Sequence, residues 1–333
     1  MNNKKMSVGI AALICVGVFI VFGILAAVTV RGIGVDKFNV NNGWFNFGSG
    51  SKKDYNIDQT VTFSKDEIAE YNTISLGSIS SDITVTEGDT FEAHLYGQYR
   101  GTQEIELVAD QSGKHLEVKV RRKGSAFSFN IFGSNMKLDV TIPKSFSDKL
   151  SLSSTSGEIN MVIDDKELTE LTASTTSGDI YCKIKSAEMN GSSTSGSVTF
   201  ITEAGNMDVG TTSGNVNCTT QAGDIHAGST SGDVTCKTDA GDINASTVSG
   251  GVEIFCNDFD KIVADTTSGG VELTVSKDSS FKINFDSVSG SLDSNLPLSV
   301  KSSGKRHFEG TYGSGEGVID VDTTSGSCDL NMQ

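Results

Sequence analysis

Asp224, Asp233 and Asp242 each follow a glycine at nine-residue steps. Carboxylates repeated at that period are what a calcium-binding β-roll uses, because a hard divalent cation collects oxygen ligands from successive turns. The complete roll pattern, GGxGxDxUx, is absent: each corner has a single glycine, and the residue after it runs Asp179, Ser197, Asn215, Asp233, Gly251. Oxygen ligands therefore do not recur at every corner. The three aspartates are expected to be solvated turn residues that attract divalent cations weakly and without order, and no metal or other cofactor is assigned. Histidines occur at 94, 115, 226 and 307, with no HExxH, no G-x-S-x-G and no phosphate loop. No residue is assigned a catalytic role.

The glycines explain the spacing. A glycine follows a serine at Gly157, Gly178, Gly196, Gly214, Gly232, Gly250, Gly269, Gly290 and Gly326, at intervals of 21, 18, 18, 18, 18, 19, 21 and 36 residues. Gly205, Gly223 and Gly241 fall midway, each after an alanine, so the unit is eighteen residues made of two nines. Two and four residues beyond each glycine the chain is apolar: Val198 and Phe200, Met207 and Val209, Val216 and Cys218, Ile225 and Ala227, Val234 and Cys236. Residues two apart share one face of a strand. Each nine is thus a corner and a short strand, and the glycine supplies either positive φ or room for close backbone approach. The predicted fold is all-β: a single-stranded β-solenoid of about eighteen residues per rung over 151–333, with one degenerate rung between Gly290 and Gly326.

Within that pattern Cys218 and Cys236 become neighbours in one inward column. They are near enough for a disulfide, but replace Phe200 and Ile254 there, as small apolar fillers do. They are expected to be buried free thiols. Such regular rungs also lack the long side loops from which polysaccharide-cleaving β-helix enzymes build clefts. An enzyme acting on envelope polysaccharide is therefore the alternative to a non-catalytic binding module, and a calcium-dependent roll-like structural protein is a further one.

Ahead of the repeats, residues 69–150 alternate in short runs (TISLGSISSDITVTEGD, EIELVAD, HLEVKVRR, KLDVTIPK) and predict a β-rich leading module. Its basic run Arg121-Arg122-Lys123 reads as a solvated turn. Residues 31–68 read as a linker, with Trp44, Phe45 and Phe47 suited equally to a membrane interface or to packing on the neighbouring module. Residues 7–30 carry no charge and are long enough to span a bilayer. Lys4 and Lys5 before the span place residues 1–6 in the cytoplasm and the bulk of the chain outside the cell membrane.

Of the formal net charge of −16, residues 1–150 contribute nothing, with 16 basic and 16 acidic residues, whereas residues 151–333 carry 10 and 26. That surface repels nucleic acid and anionic headgroups and favours cations and basic partners. The expected partner is an envelope component or a membrane protein.

The motifs SGEI at 156–159, SGDI at 177–180, SGNV at 213–216 and SGDV at 231–234, preceded by KLDVTIPK and a membrane anchor, resemble the bacterial putative-adhesin family of β-strand-repeat envelope proteins, which includes the LiaG type. The resemblance covers roughly residues 70–333. It implies an extracytoplasmic β-solenoid associated with the cell envelope, and brings no catalytic residues with it.

Overall fold

A computed structural model describes residues 52–123, 134–203, 205–304 and 306–333. The predicted span at 7–30 and the aromatic cluster at 44–47 lie outside them. The described residues form 25 strands and one four-residue helix, and Lys53–Gln333 make one compact unit. None of their helices is long and apolar enough to cross a membrane.

The central repeats run through β9 (Ile159–Thr175), β10 (Ile180–Ser193), β11 (Val198–Ile201), β12 (Asn206–Thr211), β13 (Val216–Thr219), β14 (Ile225–Ser229), β15 (Val234–Ala240), β16 (Ile243–Thr247), β17 (Val252–Asp258), β18 (Lys261–Thr266) and β19 (Val271–Val275). The long strands β9 and β10 each run through both halves of a level and pair in parallel with each other, and β10 pairs with both β11 and β12. From β11 to β17 each strand pairs in parallel with the next but one, so two stacks grow side by side. One stack aligns Val198, Val216, Val234 and Val252; the other aligns Met207, Ile225, Ile243 and Ile262. All eight are at most 2% exposed. Alternation explains it: the residues between them point outward, and a one-residue slip would exchange core for surface.

Where the repeat lengthens, the structure absorbs the extra residues locally. Between Gly157 and Gly178 the register of β9 against β10 shifts at Lys183/Lys185, so that Asp164, Asp165 and Lys166 have no counterparts on β10. Lys166 turns inward from this bulge, where its ammonium donates to the carbonyls of Pro143 (2.7 Å) and Lys144 (3.3 Å). Burial lowers its pKa. An expanded rung is thereby tied to the chain before the repeats.

Pairing continues without a break across residue 150. Here β2 (Thr73–Ser78) and β3 (Ser81–Gly88) lie parallel to β8 (Lys149–Ser154) and β9, and on their other sides to β6 (His115–Arg122) and β7 (Ser134–Pro143). The parallel stacks therefore start near residue 73, well before the expected 151. β4 (Phe91–Gly101) and β5 (Ile105–Ser112) add antiparallel strands at this end.

The linker expectation fails for residues 53–68. β1 (Lys53–Phe63) pairs antiparallel with β4 along its whole length, and helix α1 (Lys65–Ile68) follows, with a capping box between Ser64 and Glu67. The alternation Tyr55, Ile57, Val61, Phe63 carries β1, but Gln59 interrupts it with an amide that bonds to the Ile105 carbonyl and the Leu107 N–H. Arg122 departs from the solvated-turn reading as well: it continues the inward row Leu116, Val118, Val120 and is buried. Arg121 and Lys123 stay at the surface on Glu106 and Glu104.

The other end holds the larger correction. The expected degenerate rung between Gly290 and Gly326 does not form in sequence order. After β19 the chain skips a level to make β20 (Phe281–Ser287) and β21 (Leu292–Ser294), then turns back through β22 (Ser299–Ser303) and β23 (His307–Tyr312), which are antiparallel to each other. The final strands β24 (Gly317–Thr323) and β25 (Cys328–Met332) fill the skipped level: β24 pairs in parallel with both β18 and β20, and β25 with both β19 and β21.

Cys182, Cys218, Cys236, Cys256 and Cys328 are buried free thiols, with Cys218 opposite Cys236. Burial pushes Cys236, Cys256 and Cys328 up to about 12. At pH 8 the folded protein is expected to leave these five thiols unlabelled by a maleimide and to label them together once unfolded in urea; rapid native labelling at any one would contradict its burial.

The strand phase makes a sharper test. Val234 lies between Val216 and Val252 with 0% exposure, so Val234→Asp is expected to remove several kcal/mol of stability by burying an unpaired carboxylate. Thr235→Asp, one step outward, should change it by about 1 kcal/mol or less. Urea midpoints for the two variants decide, and a more damaging Thr235→Asp would invert the phase.

Candidate functional site

The corner glycines come together in a single column, and of the two expected reasons for glycine, positive φ or close backbone approach, it is the second that applies to them. None of the nine serine-preceded glycines has positive φ, whereas the midway glycines do: Gly205 at 135°, Gly223 at 138° and Gly241 at 141°. What the nine require is proximity. A Cβ on Gly232 would lie 2.5 Å from the Gly214 carbonyl carbon and closer still to its oxygen, and the same collision recurs along Gly178, Gly196, Gly214, Gly250 and Gly269. The column then runs through Gly326 before Gly290, following the inserted level.

From Gly157 to Gly250 each carbonyl in that column accepts a hydroxyl from the next level. Thr211 donates to Gly196 (2.8 Å), Ser229 to Gly214 (2.9 Å), Thr247 to Gly232 (2.9 Å) and Thr266 to Gly250 (3.2 Å). These residues stand three positions before their own corner glycine and are buried. At Gly157, Gly178 and Gly290 the hydroxyl three positions earlier accepts the glycine N–H, and at Gly178 that hydroxyl, Thr175, also donates to Gly157. The motif is therefore [Ser/Thr]-x-Ser-Gly, and its first hydroxyl is a functional position that the apolar periodicity does not reveal; the unbroken Ser/Thr at Ser154, Thr175, Ser193, Thr211, Ser229 and Thr247 is the signal that finds it.

The three candidate aspartates are spent on the backbone. Asp233 accepts the Gly251 N–H (2.8 Å), Asp224 the Asp242 N–H (3.0 Å), and Asp242 the N–H groups of Asp260 (3.2 Å) and Lys261 (2.7 Å). Asn206 serves Asp224, and Asn215 serves Asp233, in the same way. Asp233 stands in one corner column, while Asp224 and Asp242 stand in the other. Among the described residues no group of three or more His, Cys, Asp or Glu is arranged to hold a metal ion.

The four histidines sit on four strands. His94 on β4 bonds Asp58 (2.8 Å), His115 on β6 bonds the Ser75 hydroxyl (2.8 Å), and His226 lies on the outer face of β14. His307 on β23 bonds Asp286 (2.8 Å) and approaches Glu309 (3.4 Å). Beside it the outer face is unusually acidic, because Asp265, Asp322 and Asp286 stand in register on β18, β24 and β20. Burial, reinforced by Asp322 and Asp320, pushes Asp265 up to about 6; burial, with Asp286 and Asp320 nearby, raises Asp322 too. At the opposite end, the Tyr99 hydroxyl and the Arg122 guanidinium nitrogens are buried without a hydrogen-bond partner.

This architecture agrees with a sequence match over residues 71–331 to the family described as Toastrack DUF4097. The chain belongs to the Toastrack DUF4097 family. Solved structures similar to this Toastrack chain include a "putative lipid binding protein" from Parabacteroides distasonis, 12% identical, covering 85% of this chain and 98% of that one, with a TM-score of 0.45. A "putative adhesin" from Bacteroides fragilis is 15% identical over 85% of this chain and 99% of that one, with a TM-score of 0.34. No functionally curated protein matches it.

The Toastrack corner gives a direct test. Gly232→Ala is expected to cost about 1–3 kcal/mol through overpacking against backbone, whereas at Gly228 a new Cβ meets nothing nearer than 3.4 Å, so Gly228→Ala should be close to neutral. Asp233→Asn, which keeps the accepting oxygen, should also change little. Equal urea midpoints for the Gly232 and Gly228 variants would refute the close-approach role.

Proposed function

We propose that this protein is a non-catalytic, membrane-anchored binding or sensing module of the LiaG type, in which a β-solenoid of eighteen-residue rungs is held outside the cell by the span at 7–30. The observation that carries the reading is where the polar chemistry goes. Corner hydroxyls bond to glycine carbonyls, and corner carboxylates bond to the next backbone N–H. Side chains committed to holding a rod together are not converging on a substrate.

What remains for recognition is the outer surface, which repeats at strand spacing and carries the whole excess of acid. Such a surface suits a basic or cation-bridged envelope component, or a basic segment of a neighbouring membrane protein, and long-range attraction of this kind weakens as salt rises. The expected span at 7–30 and the envelope association implied by the resemblance of the SGDI- and SGDV-type repeats support an extracytoplasmic position for it.

Two measurements test the proposal. Protease added to intact protoplasts should release a fragment beginning within residues 31–70; full protection of the chain would overturn the topology. Crosslinking in intact membranes followed by capture of the full-length chain should recover an envelope component whose yield falls at high ionic strength. Recovery of no envelope component, or cleavage of envelope polysaccharide by the purified protein, would overturn the binding role.

A further inference from the structure

The inserted level at the carboxy-terminal end brings together side chains that sequence order keeps apart. Following the pairing from β16 outward, one row of the outer face reads Ser246, Asp265, Asp322, Asp286, His307 across β16, β18, β24, β20 and β23. Successive strands lie about 4.8 Å apart, so three carboxylates are stacked on neighbouring strands, an arrangement that is destabilising when all are ionised. β24 carries the central one, and it is one of the two strands that fill the inserted level.

The flanking row is better neutralised. It reads Val263, Asp320, Asn284, Glu309. There the Asn284 amide donates to Asp320 (2.8 Å), Lys261 lies 3.7 Å from Asp320, and Lys301 lies 2.8 Å from Glu309. Lys282 on β20 is exposed, opposite Val318. In the acidic row itself the one cation in register is His307, and only when the imidazole is protonated; from the same face of β18, Lys261 offsets part of the rise at Asp265.

We propose that the row Asp265, Asp322, Asp286, His307 is a proton-operated latch, which holds β24 between β18 and β20 while the row carries protons and loosens it when the row is fully ionised. The directions of titration agree. Burial and the neighbouring acids raise Asp265, to about 6, and Asp322; hydrogen bonding to Asp286, with Glu309 nearby, raises His307. A group raised in the folded state contributes stability that is complete below its unfolded value and is lost as pH rises through its folded value. All three therefore favour the closed level at acidic pH; the Asp265 share falls as pH rises from the unfolded carboxyl range, about 4, to about 6, and the His307 share falls above that, through the imidazole range. Loosening β24 would uncover the facing edges of β18 and β20, two backbone ladders open to an added strand. The latch is independent of what the protein binds.

Hydrogen exchange on the full-length protein tests this. Protection in peptides covering 317–323, taken relative to 225–229 in the central repeats and corrected for intrinsic exchange, is expected to fall roughly tenfold or more between pH 5 and pH 8. Asp322→Asn should flatten that dependence and keep protection high at pH 8, and Asp265→Asn should do the same in part. Asp329→Asn on β25, outside the row, should leave the wild-type profile intact. A flat wild-type profile would overturn the latch, as would full pH dependence in both Asp322→Asn and Asp265→Asn. Should Asp322→Asn fail to fold, Asp265→Asn carries the same test.

Discussion

The close contact between one corner glycine and the carbonyl of the glycine a level below governs the rest of this molecule. Strands that pair in parallel repeat at about 4.8 Å, and a corner stacked at that distance leaves no space for a side chain over the backbone. The contact also leaves a carbonyl facing inward, and a buried carbonyl without a donor is destabilising by about 1–3 kcal/mol. Glycine removes the obstacle, and the hydroxyl three residues earlier supplies the donor, as Thr211 does for Gly196 and Thr247 for Gly232. Once these two positions are set, the length between corners fixes the register of every strand in both stacks.

Parallel stacking then forces each side chain to neighbour its own equivalent. For apolar residues this is favourable: Val216 against Val234 and Ile225 against Ile243 fill columns of even width. For carboxylates it is not, and the repeats handle the conflict in two ways. One corner column interleaves its acids with Ser, Asn and Gly; in the other Asp224 and Asp242 are direct neighbours, and in both columns Asp179, Asp224, Asp233 and Asp242 each accept a backbone N–H from the next level, as Asp233 does from Gly251. A charged oxygen held by an N–H is both satisfied and displaced from its stacked neighbour. At the inserted level neither device is used for Asp265, Asp322 and Asp286, and the conflict appears as raised carboxyl pKa values.

The sequence made the strand phase readable because a period of two inside a period of nine admits few alternatives: Val198, Phe200, Met207 and Val209 all lie within 2% of full burial. Other features were hidden for physical reasons. β1 escaped notice because Gln59 occupies an inward position and satisfies backbone groups of β5, a contact 46 residues away that no local pattern reports. Which corners need positive φ, Gly223 and Gly241, and which need close approach, Gly232 among them, was not readable, since both kinds of corner demand glycine and composition alone does not separate a strained dihedral from a forbidden Cβ. Arg122 looked like part of a solvated turn because its basic neighbours are, while its own parity with Val118 and Val120 pointed inward.

The order of levels at the carboxy-terminal end was the least readable feature, since spacing reveals which residues make a corner and not which corner lies next to which. The interval of 36 between Gly290 and Gly326 fits one missing rung as well as it fits a return. The return has a physical consequence that the sequential arrangement would lack. With β24 and β25 interior, each of the last two strands is paired on both sides, so fraying of the chain's final segment must break two ladders instead of one. The open edges are left to β21, three residues long with Asp293 and Ser294 exposed, and to β22, where Lys301 is exposed. Short strands bearing charge are poor templates for pairing with another chain. The arrangement therefore stabilises the terminal segment and protects the end of the stack at once, and in doing so it brings the acidic strand β24 against the two strands where its charge is least welcome.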